Sequence, residues 1–229
     1  MFDIIFLSYD ESDAEKSWRR FNKRFFWAKR VHGICGIYPA HVQAAKISNT
    51  KMFWVVDADS EIVDSFKFDF VPENSLGFEN LHVFYAKNPA TDDSYGYGGL
   101  KLFPRKRFLN TTGAGIDMAT SVFNGLIVIE KVASITHFNT TPFSAWRSAF
   151  RECVKLSRNL IGNNYELNYQ RLLKWCNPLL NATNYNFIQE GSNSGVEFAN
   201  KYQNDYQKLN LINDYAWLKE EFIKRYGSL

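Results

Sequence analysis

Met52-Phe53-Trp54-Val55-Val56-Asp57-Ala58-Asp59-Ser60 is the stretch that decides the fold. Its five apolar residues in a row, two of them β-branched, predict a strand buried on both faces, as at the centre of a mostly parallel sheet. The strand runs directly into two carboxylates, so the chain must reach the surface there, and α/β proteins bind ligands at the carboxyl ends of parallel strands. Two carboxylates at this spacing can share a hard divalent cation that also holds substrate phosphates. The stretch therefore predicts a metal–diphosphate site, although the same residues are also typical of a turn after a strand.

The composition indicates a folded, mildly basic protein. The chain has 229 residues, 45% hydrophobic and 17% aromatic, which is enough for a full core and excludes global disorder. Its net charge of +3 permits a polyanionic partner without requiring one. Three cysteines without metal-ligand spacing (Cys35, Cys153 and Cys176) predict buried thiols in a reducing compartment. The chain begins with a strand and has no long apolar run, so we expect a soluble cytoplasmic protein with no membrane partner.

The order of elements predicts an α/β fold. Strands over residues 2–7, 30–37 and 52–56 alternate with helices over 14–26 and 38–48, which is the start of a doubly wound sheet. Further strands are expected over 81–86 and 126–129, and a helix begins near Pro142 and ends near Arg158. Helices over 165–175, 197–209 and 214–226 follow. We therefore expect a core domain over 1–158 and a helical extension over 159–229 that packs on the same domain.

Two groups of basic residues have alternative interpretations. The first helix carries Arg19, Arg20, Lys23 and Arg24, which form either a solvated face or a nucleic-acid contact. The helix after Pro142 carries a positive stripe, which is either solvated or binds an anion: Arg147, Arg151, Lys155 and Arg158.

Taken together, these elements resemble nucleotide-sugar glycosyltransferases of the GT-A fold, closest to the inverting family-2 type. Ser8-Tyr9-Asp10-Glu11 resembles the loop that holds the nucleotide base, and the helix with His41 followed by Asp57-Ala58-Asp59 is similar to the family's central pattern. Gly98-Gly99 with Phe103-Pro104-Arg105 resembles the acceptor-side glycine pair and arginine, and residues 168–175 loosely resemble its Gln-x-x-Arg-Trp helix. The resemblance implies a GT-A (Rossmann-like) mixed, mostly parallel sheet flanked by helices, with a C-terminal helical cover.

A narrower resemblance is to small glycosyltransferases of tailed bacteriophages. It covers the run from residues 28–33 to residues 57–59, then residues 95–99 and the segment Trp146-Arg147-Ser148-Ala149-Phe150-Arg151-Glu152-Cys153. Some members of that group are thought to add sugars to 5-hydroxymethyl pyrimidines in phage DNA. The resemblance therefore implies transfer of a sugar from a nucleotide-sugar donor, expected to be UDP-linked, to DNA in the cytoplasm of a host cell. A protein or glycan acceptor, and a non-catalytic nucleic-acid-binding module on the same scaffold, are the alternatives.

The resemblance also implies roles for individual residues. Those expected to bind the donor are Ser8, Tyr9, Asp10, His32, Gly33, His41 and Asp57. Those expected to bind the acceptor are Tyr97, Gly98, Gly99, Arg105, Trp146, Arg147 and Arg151. Asp57 and Asp59 are expected to hold Mn²⁺ or Mg²⁺, with His137 as either a further ligand or a structural histidine.

The general base is where the sequence departs from the family. Inverting enzymes of this type usually carry a Glu-Asp pair at the start of the helix after the acceptor loop, whereas here that helix begins Thr140-Thr141-Pro142. The nearest carboxylates are Asp117, in the preceding loop region, and Glu152, in the middle of the helix. We favour Asp117 because a loop reaches a cleft more easily than a mid-helix position does; an ordinary cap or surface carboxylate is the alternative for both.

Overall fold

The computed structural model describes residues 1–11, 13–96, 98–111, 113, 115–123, 125–161 and 164–229. Tyr97, one of the predicted acceptor-binding residues, lies outside the described residues. The chain divides into two compact units. Unit 1 comprises Met1–Lys87, Ser94–Ala114 and Ser121–Thr136, and unit 2 comprises Asn88–Asp93, Gly115–Thr120 and His137–Leu229.

Strands and helices alternate in the first part of the chain, and the last part is helical. The elements are β1 (Asp3–Ser8), α1 (Ala14–Arg24), β2 (Lys29–His32), α2 (Ile37–Ile47), β3 (Met52–Asp57), β4 (Ser60–Ile62), β5 (Leu81–Asn88), β6 (Asp93–Tyr95), β7 (Leu100–Pro104), α3 (Arg105–Asn110), α4 (Met118–Val122), β8 (Leu126–Thr136), α5 (Pro142–Ser157), α6 (Tyr165–Cys176), α7 (Tyr185–Lys201), α8 (Tyr206–Asn210) and α9 (Tyr215–Tyr226).

The strands form one mixed sheet in the order β2-β1-β3-β7-β5-β8-β4, with β6 paired to β5. The pairs β1–β2, β1–β3 and β5–β8 are parallel, whereas β3–β7, β5–β7 and β4–β8 are antiparallel. The expected α/β class and mixed sheet are confirmed. The expectation of a mostly parallel sheet is wrong, because β7 inserts between β3 and β5 in the opposite direction and β4 returns against β8.

The core of unit 1 is built around β3, as the run of apolar residues predicts. Met52, Phe53, Trp54 and Val56 are fully buried, and Val55 is nearly so. Trp54 packs against Phe66, Phe68 and Phe84, with ring centroids 5.2–5.9 Å apart. On α2, Ala44 and Ala45 are 0% exposed, so small residues lie on the covered face of this helix.

Unit 2 is organised by the packing of α7 on α5. Gly191 and Gly195 of α7 face the backbone of α5; a Cβ at Gly195 would lie 2.5 Å from the carbonyl oxygen of Phe150. The N-terminus of α5 is fixed by a capping box in which Ser144 N–H donates to Thr141 Oγ1 over 3.1 Å. The expected helix over 197–209 is wrong, because α7 begins twelve residues earlier, at Tyr185, and ends at Lys201 before the short α8.

The cysteines differ in exposure. Cys153 is buried and Cys176 is partly buried, whereas Cys35 is exposed. The prediction of three buried thiols is therefore wrong for Cys35, which follows β2 in the loop that precedes α2. Within the described part of the chain, the helices are too short or too polar to cross a membrane.

Candidate functional site

Three parallel strands of unit 1 end at the same edge of the sheet, and each ends at or next to a predicted site residue. In the pairing of β1 with β2, Ser8 lies opposite His32. In the pairing of β1 with β3, Leu7 lies opposite Asp57. Ser8, His32 and Asp57 therefore share the carboxyl edge of β1, β2 and β3, which is where ligands bind in open α/β sheets.

Ser8 and His32 are joined in a hydrogen-bonded network with Arg30. Arg30 Nε donates to Ser8 Oγ over 3.0 Å, and Ser8 Oγ lies 2.9 Å from His32 Nδ1. Arg30 Nη2 also lies 3.2 Å from His32 Nδ1. Since a guanidinium has only donors, Nδ1 must accept, and the proton of the neutral imidazole lies on Nε2. The exposed ring of His32 thus presents an N–H donor.

The loop residues after β1 and β2 surround this network. The Gly33 N–H donates to the Ser8 carbonyl oxygen over 3.1 Å, and Gly33 has a φ of +74°, which favours glycine. The Tyr9 N–H donates to Glu11 Oε2 over 2.8 Å. A hydrogen bond with the Cys35 thiol raises the pKa of the Tyr9 hydroxyl, and Asp10 is exposed.

The Asp-x-Asp segment lies between β3 and β4. Asp57 and Asp59 are partly exposed, while Ala58 between them is 7% exposed. The Asp57 N–H donates to the Gly99 carbonyl oxygen over 3.1 Å, which ties the end of β3 to the glycine pair before β7.

The carboxylate oxygens of Asp57 and Asp59 are of the ligand type that magnesium and manganese ions prefer. Within the described residues, no group of three or more His, Cys, Asp or Glu side chains that could hold a metal occurs. Mg²⁺ does not require such a group, because it is usually bound by one or two carboxylates together with waters and substrate phosphates. His137 is the next residue in the chain after Thr136, the last residue of β8, and is partly buried.

Gly98 and Gly99 pass over a cluster of buried hydroxyl groups that the sequence did not predict. A Cβ at Gly99 would lie 2.8 Å from Ser134 Oγ and closer still to Ser60 Oγ, so only glycine fits there. Gly98 has a φ of +54° and lies against Thr136. The hydroxyls of Ser60, Ser134 and Thr136 are buried, and none has a hydrogen-bond partner among the described residues. The only sequence signal was Ser60, which directly follows Asp59.

Of two further predicted site residues of unit 1, His41 lies in the interior and Arg105 is partly exposed. His41 is 3% exposed, its ring centroid lies 5.1 Å from that of Phe103, and its Nδ1 lies 2.7 Å from the Ile37 carbonyl oxygen. Burial lowers the pKa of His41 to about 4, so the ring is neutral. Arg105 Nε donates to the Ala45 carbonyl oxygen over 2.8 Å.

In unit 2, the two candidate bases meet at one lysine. Lys155 Nζ lies 3.4 Å from Asp117 Oδ2 and 3.3 Å from Glu152 Oε2. Burial alone would lower the pKa of Lys155, but the charges of Glu152 and Asp117 outweigh it and raise that pKa. Asp117 Oδ1 also accepts a hydrogen bond from the Thr120 N–H over 3.0 Å, so this carboxylate also caps the first turn of α4.

The other cations of the α5 stripe also contact residues of unit 2. The Arg147 guanidinium lies 5.0 Å from the Tyr215 ring centroid, and Arg151 Nη2 donates to Asn213 Oδ1 over 3.1 Å. Trp146, a predicted acceptor-binding residue, is 0% exposed. The interpretation of this stripe as a solvated face is therefore wrong for Arg147, Arg151 and Lys155.

The basic face of α1 is different. Arg20 pairs with Glu61 over 3.4 Å and Arg24 pairs with Asp64 over 3.2 Å. Lys16, Arg19 and Lys23 are exposed and form no ion pair with a described residue. They lie at i, i+3 and i+7, so they share one face of the helix.

Neither a protein-family model nor a curated protein sequence matches this chain.

Proposed function

We propose that the protein is a metal-dependent glycosyltransferase of the GT-A type, which moves a sugar from a nucleotide-sugar donor, expected to be UDP-linked, to an acceptor hydroxyl. The observation that carries the proposal is the position of Asp57 and Asp59. They are partly exposed carboxylates at the carboxyl end of the buried strand β3, which runs parallel to β1, and the ends of β1 and β2 lie at the same edge of the sheet.

Each part of this edge has a role in the proposal. Asp57 and Asp59 would hold Mn²⁺ or Mg²⁺, which when bound supplies positive charge against a departing diphosphate. The Ser8 and Tyr9 loop and the Nε2–H of His32 would bind the nucleotide. Contact of the acceptor with Gly98 and Gly99 is proposed from the resemblance alone, because the space that a Cβ would take there is filled by Ser60, Ser134 and Thr136. His41 has no role, because its ring lies in the aromatic core.

Asp117 is the proposed general base, with Glu152 as the alternative. Its side chain is 15% exposed and that of Glu152 is 9% exposed, so Asp117 is the more accessible of the two. As the general base, Asp117 would accept the proton of the acceptor hydroxyl. Replacement of Asp117 with Asn would then abolish transfer while the donor still binds.

The decisive assay measures release of UDP from UDP-linked sugars with Mn²⁺, with Mg²⁺ and with EDTA. We expect release that depends on the metal and falls by about a hundredfold or more in Asp59→Asn. Asp69→Asn is the matched control, because Asp69 is an exposed carboxylate of the same unit. Equal activity of Asp59→Asn and the control would refute the metal site.

The proposed acceptor is a 5-hydroxymethyl pyrimidine in DNA. The α1 face formed by Lys16, Arg19 and Lys23 supports it, because exposed cations on one helix face can contact successive phosphates. Mass analysis of nucleosides from DNA containing 5-hydroxymethylcytosine, incubated with the protein, donor and Mn²⁺, tests it directly. The same face also favours the second candidate, a non-catalytic nucleic-acid-binding module, which would bind DNA without releasing UDP. Sugar transfer to a protein or glycan instead of DNA would contradict both.

A further inference from the structure

Unit 2 contains a pocket that is lined by none of the residues given a role in the proposed function. Its volume is about 310 Å³, and it is formed by residues of α5, α7, α8 and α9 with the turn after α8. This volume is at the lower end of the range for small-molecule sites, roughly 300–1,000 Å³. All of its lining residues belong to unit 2, whereas Asp57 and Asp59 belong to unit 1.

The walls of the pocket are aromatic. The Phe198 ring centroid lies 5.3 Å from that of Phe150, 5.4 Å from that of Trp217 and 4.8 Å from that of Tyr202. Phe150 and Trp217 are also in contact, with centroids 6.1 Å apart. Phe198, Tyr202 and Trp217 are each partly exposed. Part of each of these rings is therefore accessible from the pocket, and an accessible aromatic surface is where a planar group can stack.

Trp146 lines the same pocket and is 0% exposed. Its Nε1–H is buried and has no acceptor among the described residues. The Trp146 ring therefore forms part of the closed floor of the pocket, and its N–H is out of reach of a bound ligand.

Positive charge predominates at the pocket. Lys201, Lys208 and Arg225 line it, together with Glu197 and Glu221. Glu221 is compensated by Lys224, whose Nζ lies 2.7 Å from Glu221 Oε1 and which is not part of the lining. The lining therefore holds three cations and two carboxylates, and one of these carboxylates, Glu221, is already paired with a lysine outside the lining. This excess of positive charge favours an anionic ligand.

We propose that this pocket binds a nucleotide unit, with the base stacked on Phe198 and Trp217 and the phosphate held by Lys201 and Lys208. A planar aromatic group and an anion in one ligand match the two features of the lining. The unit can be a free mononucleotide or one nucleotide of a single strand, since the recognised chemistry is the same.

The test is calorimetric titration of the full chain with adenosine 5′-monophosphate in EDTA, which removes metal-dependent donor binding. Adenosine and ribose 5-phosphate, titrated separately, should each bind at least about tenfold more weakly, because each lacks one of the two recognised groups. A single-stranded deoxyadenosine oligonucleotide is the arm that distinguishes the sources. If it binds more tightly than the mononucleotide and displaces it, the ligand is a nucleic-acid strand; otherwise it is the free nucleotide.

Variants locate the site. Trp217→Ala should weaken binding by about tenfold, whereas Trp27→Ala, a change at an exposed tryptophan of unit 1, should not. Lys208→Glu should also weaken binding, whereas Lys106→Glu, at an exposed lysine of unit 1, should leave it unchanged. Lys208 is exposed, so this variant tests the pocket even if Trp217→Ala fails to fold.

Three results would overturn the proposal. They are unchanged affinity in both Trp217→Ala and Lys208→Glu, ribose 5-phosphate binding as tightly as the mononucleotide, and no measurable binding of any nucleotide. These results are distinct from failure of the glycosyltransferase proposal, which is judged by metal-dependent release of UDP and by Asp59→Asn.

Discussion

Replacement of Lys155 with Met should strongly destabilise unit 2. The side chains of Lys155, Asp117 and Glu152 are 18%, 15% and 9% exposed, and the two carboxylates lie within 3.4 Å of the same ammonium group. At an effective dielectric constant near 20, each attraction is about 5 kcal/mol. The two carboxylate oxygens are then no more than about 7 Å apart, and without the lysine they would repel each other by about 2–3 kcal/mol.

The net loss in the free energy of unfolding is smaller than the sum of these interactions. Folding of the variant no longer requires the removal of water from a lysine ammonium group, and that cost is saved. Removal of one partner from a buried ion pair typically costs about 3–5 kcal/mol, and we expect a loss in that range. Urea denaturation followed by circular dichroism at pH 7 measures it. Lys174→Met is the matched control: Lys174 pairs with Asp93 over 3.0 Å but is 51% exposed, so about 0–1 kcal/mol is expected.

The pH dependence of stability gives a second readout, and the direction of the Lys155 pKa shift predicts its sign. The pKa of Lys155 is raised above its usual 10.5, so the stabilisation is fully present below pH 10.5 and is lost as pH rises through the folded-state pKa. Addition of Glu152→Gln to Lys155→Met should restore part of the stability, because it removes the repulsion between the Glu152 and Asp117 carboxylates. A loss in Lys155→Met no larger than that in Lys174→Met would refute the reasoning.

Two further predictions concern unit 1. Gly99→Ala should destabilise the protein by about 1–3 kcal/mol, because the added carbon has no room beside the Ser60 and Ser134 hydroxyls. Gly113→Ala, where nothing lies within 4 Å, is its control; equal midpoints in urea would contradict the close approach. For His41, whose pKa is about 4 when folded and 6.5 otherwise, the stabilisation is fully present above pH 6.5 and is lost as pH falls toward 4. This loss is about 3 kcal/mol, and the pH dependence of unfolding should be shallower by that amount in His41→Leu; an identical pH dependence in the variant would show that the ring is not buried.

The centre of the sheet was predictable because its sequence signal is local. A run of apolar residues that ends in two carboxylates fixes both the burial of β3 and the point where it leaves the core. The helix after β2 was also predictable, since the expected range 38–48 lies within one residue of α2. The direction of β7 and β4 was not, because strand pairing depends on residues far apart in the sequence.

The start of α7 was missed because its residues are poor helix formers. Gly191 and Gly195 lower intrinsic helix propensity by about 1 kcal/mol each, so the local sequence favours a break between helices in this segment. In the structure they are the residues that let α7 approach α5, and a Cβ at either would meet its backbone. Packing against a neighbouring helix outweighs propensity here, and no local pattern could show it.

The charged residues show the same limit at the candidate sites. The sequence places Lys155 in a basic stripe on α5, yet one of its two carboxylate partners, Asp117, lies 38 residues earlier in the chain. The hydroxyls of Ser134 and Thr136 lie 74 and 76 positions beyond Ser60 and meet it only through the pairing of β4 with β8.

The basic face of α1 shows how such pairings change a functional interpretation. The sequence offers Arg19, Arg20, Lys23 and Arg24 as a phosphate-binding cluster, but Arg20 and Arg24 are paired with carboxylates. These pairs reduce the cations available to a polyanion, because a cation already compensated within the protein gains less from a phosphate. Lys16 replaces them on the face that stays open, in line with Arg19 and Lys23. The nucleic-acid interpretation therefore depends on three residues along two turns of the helix, and only two of them belong to the cluster from which it was first inferred.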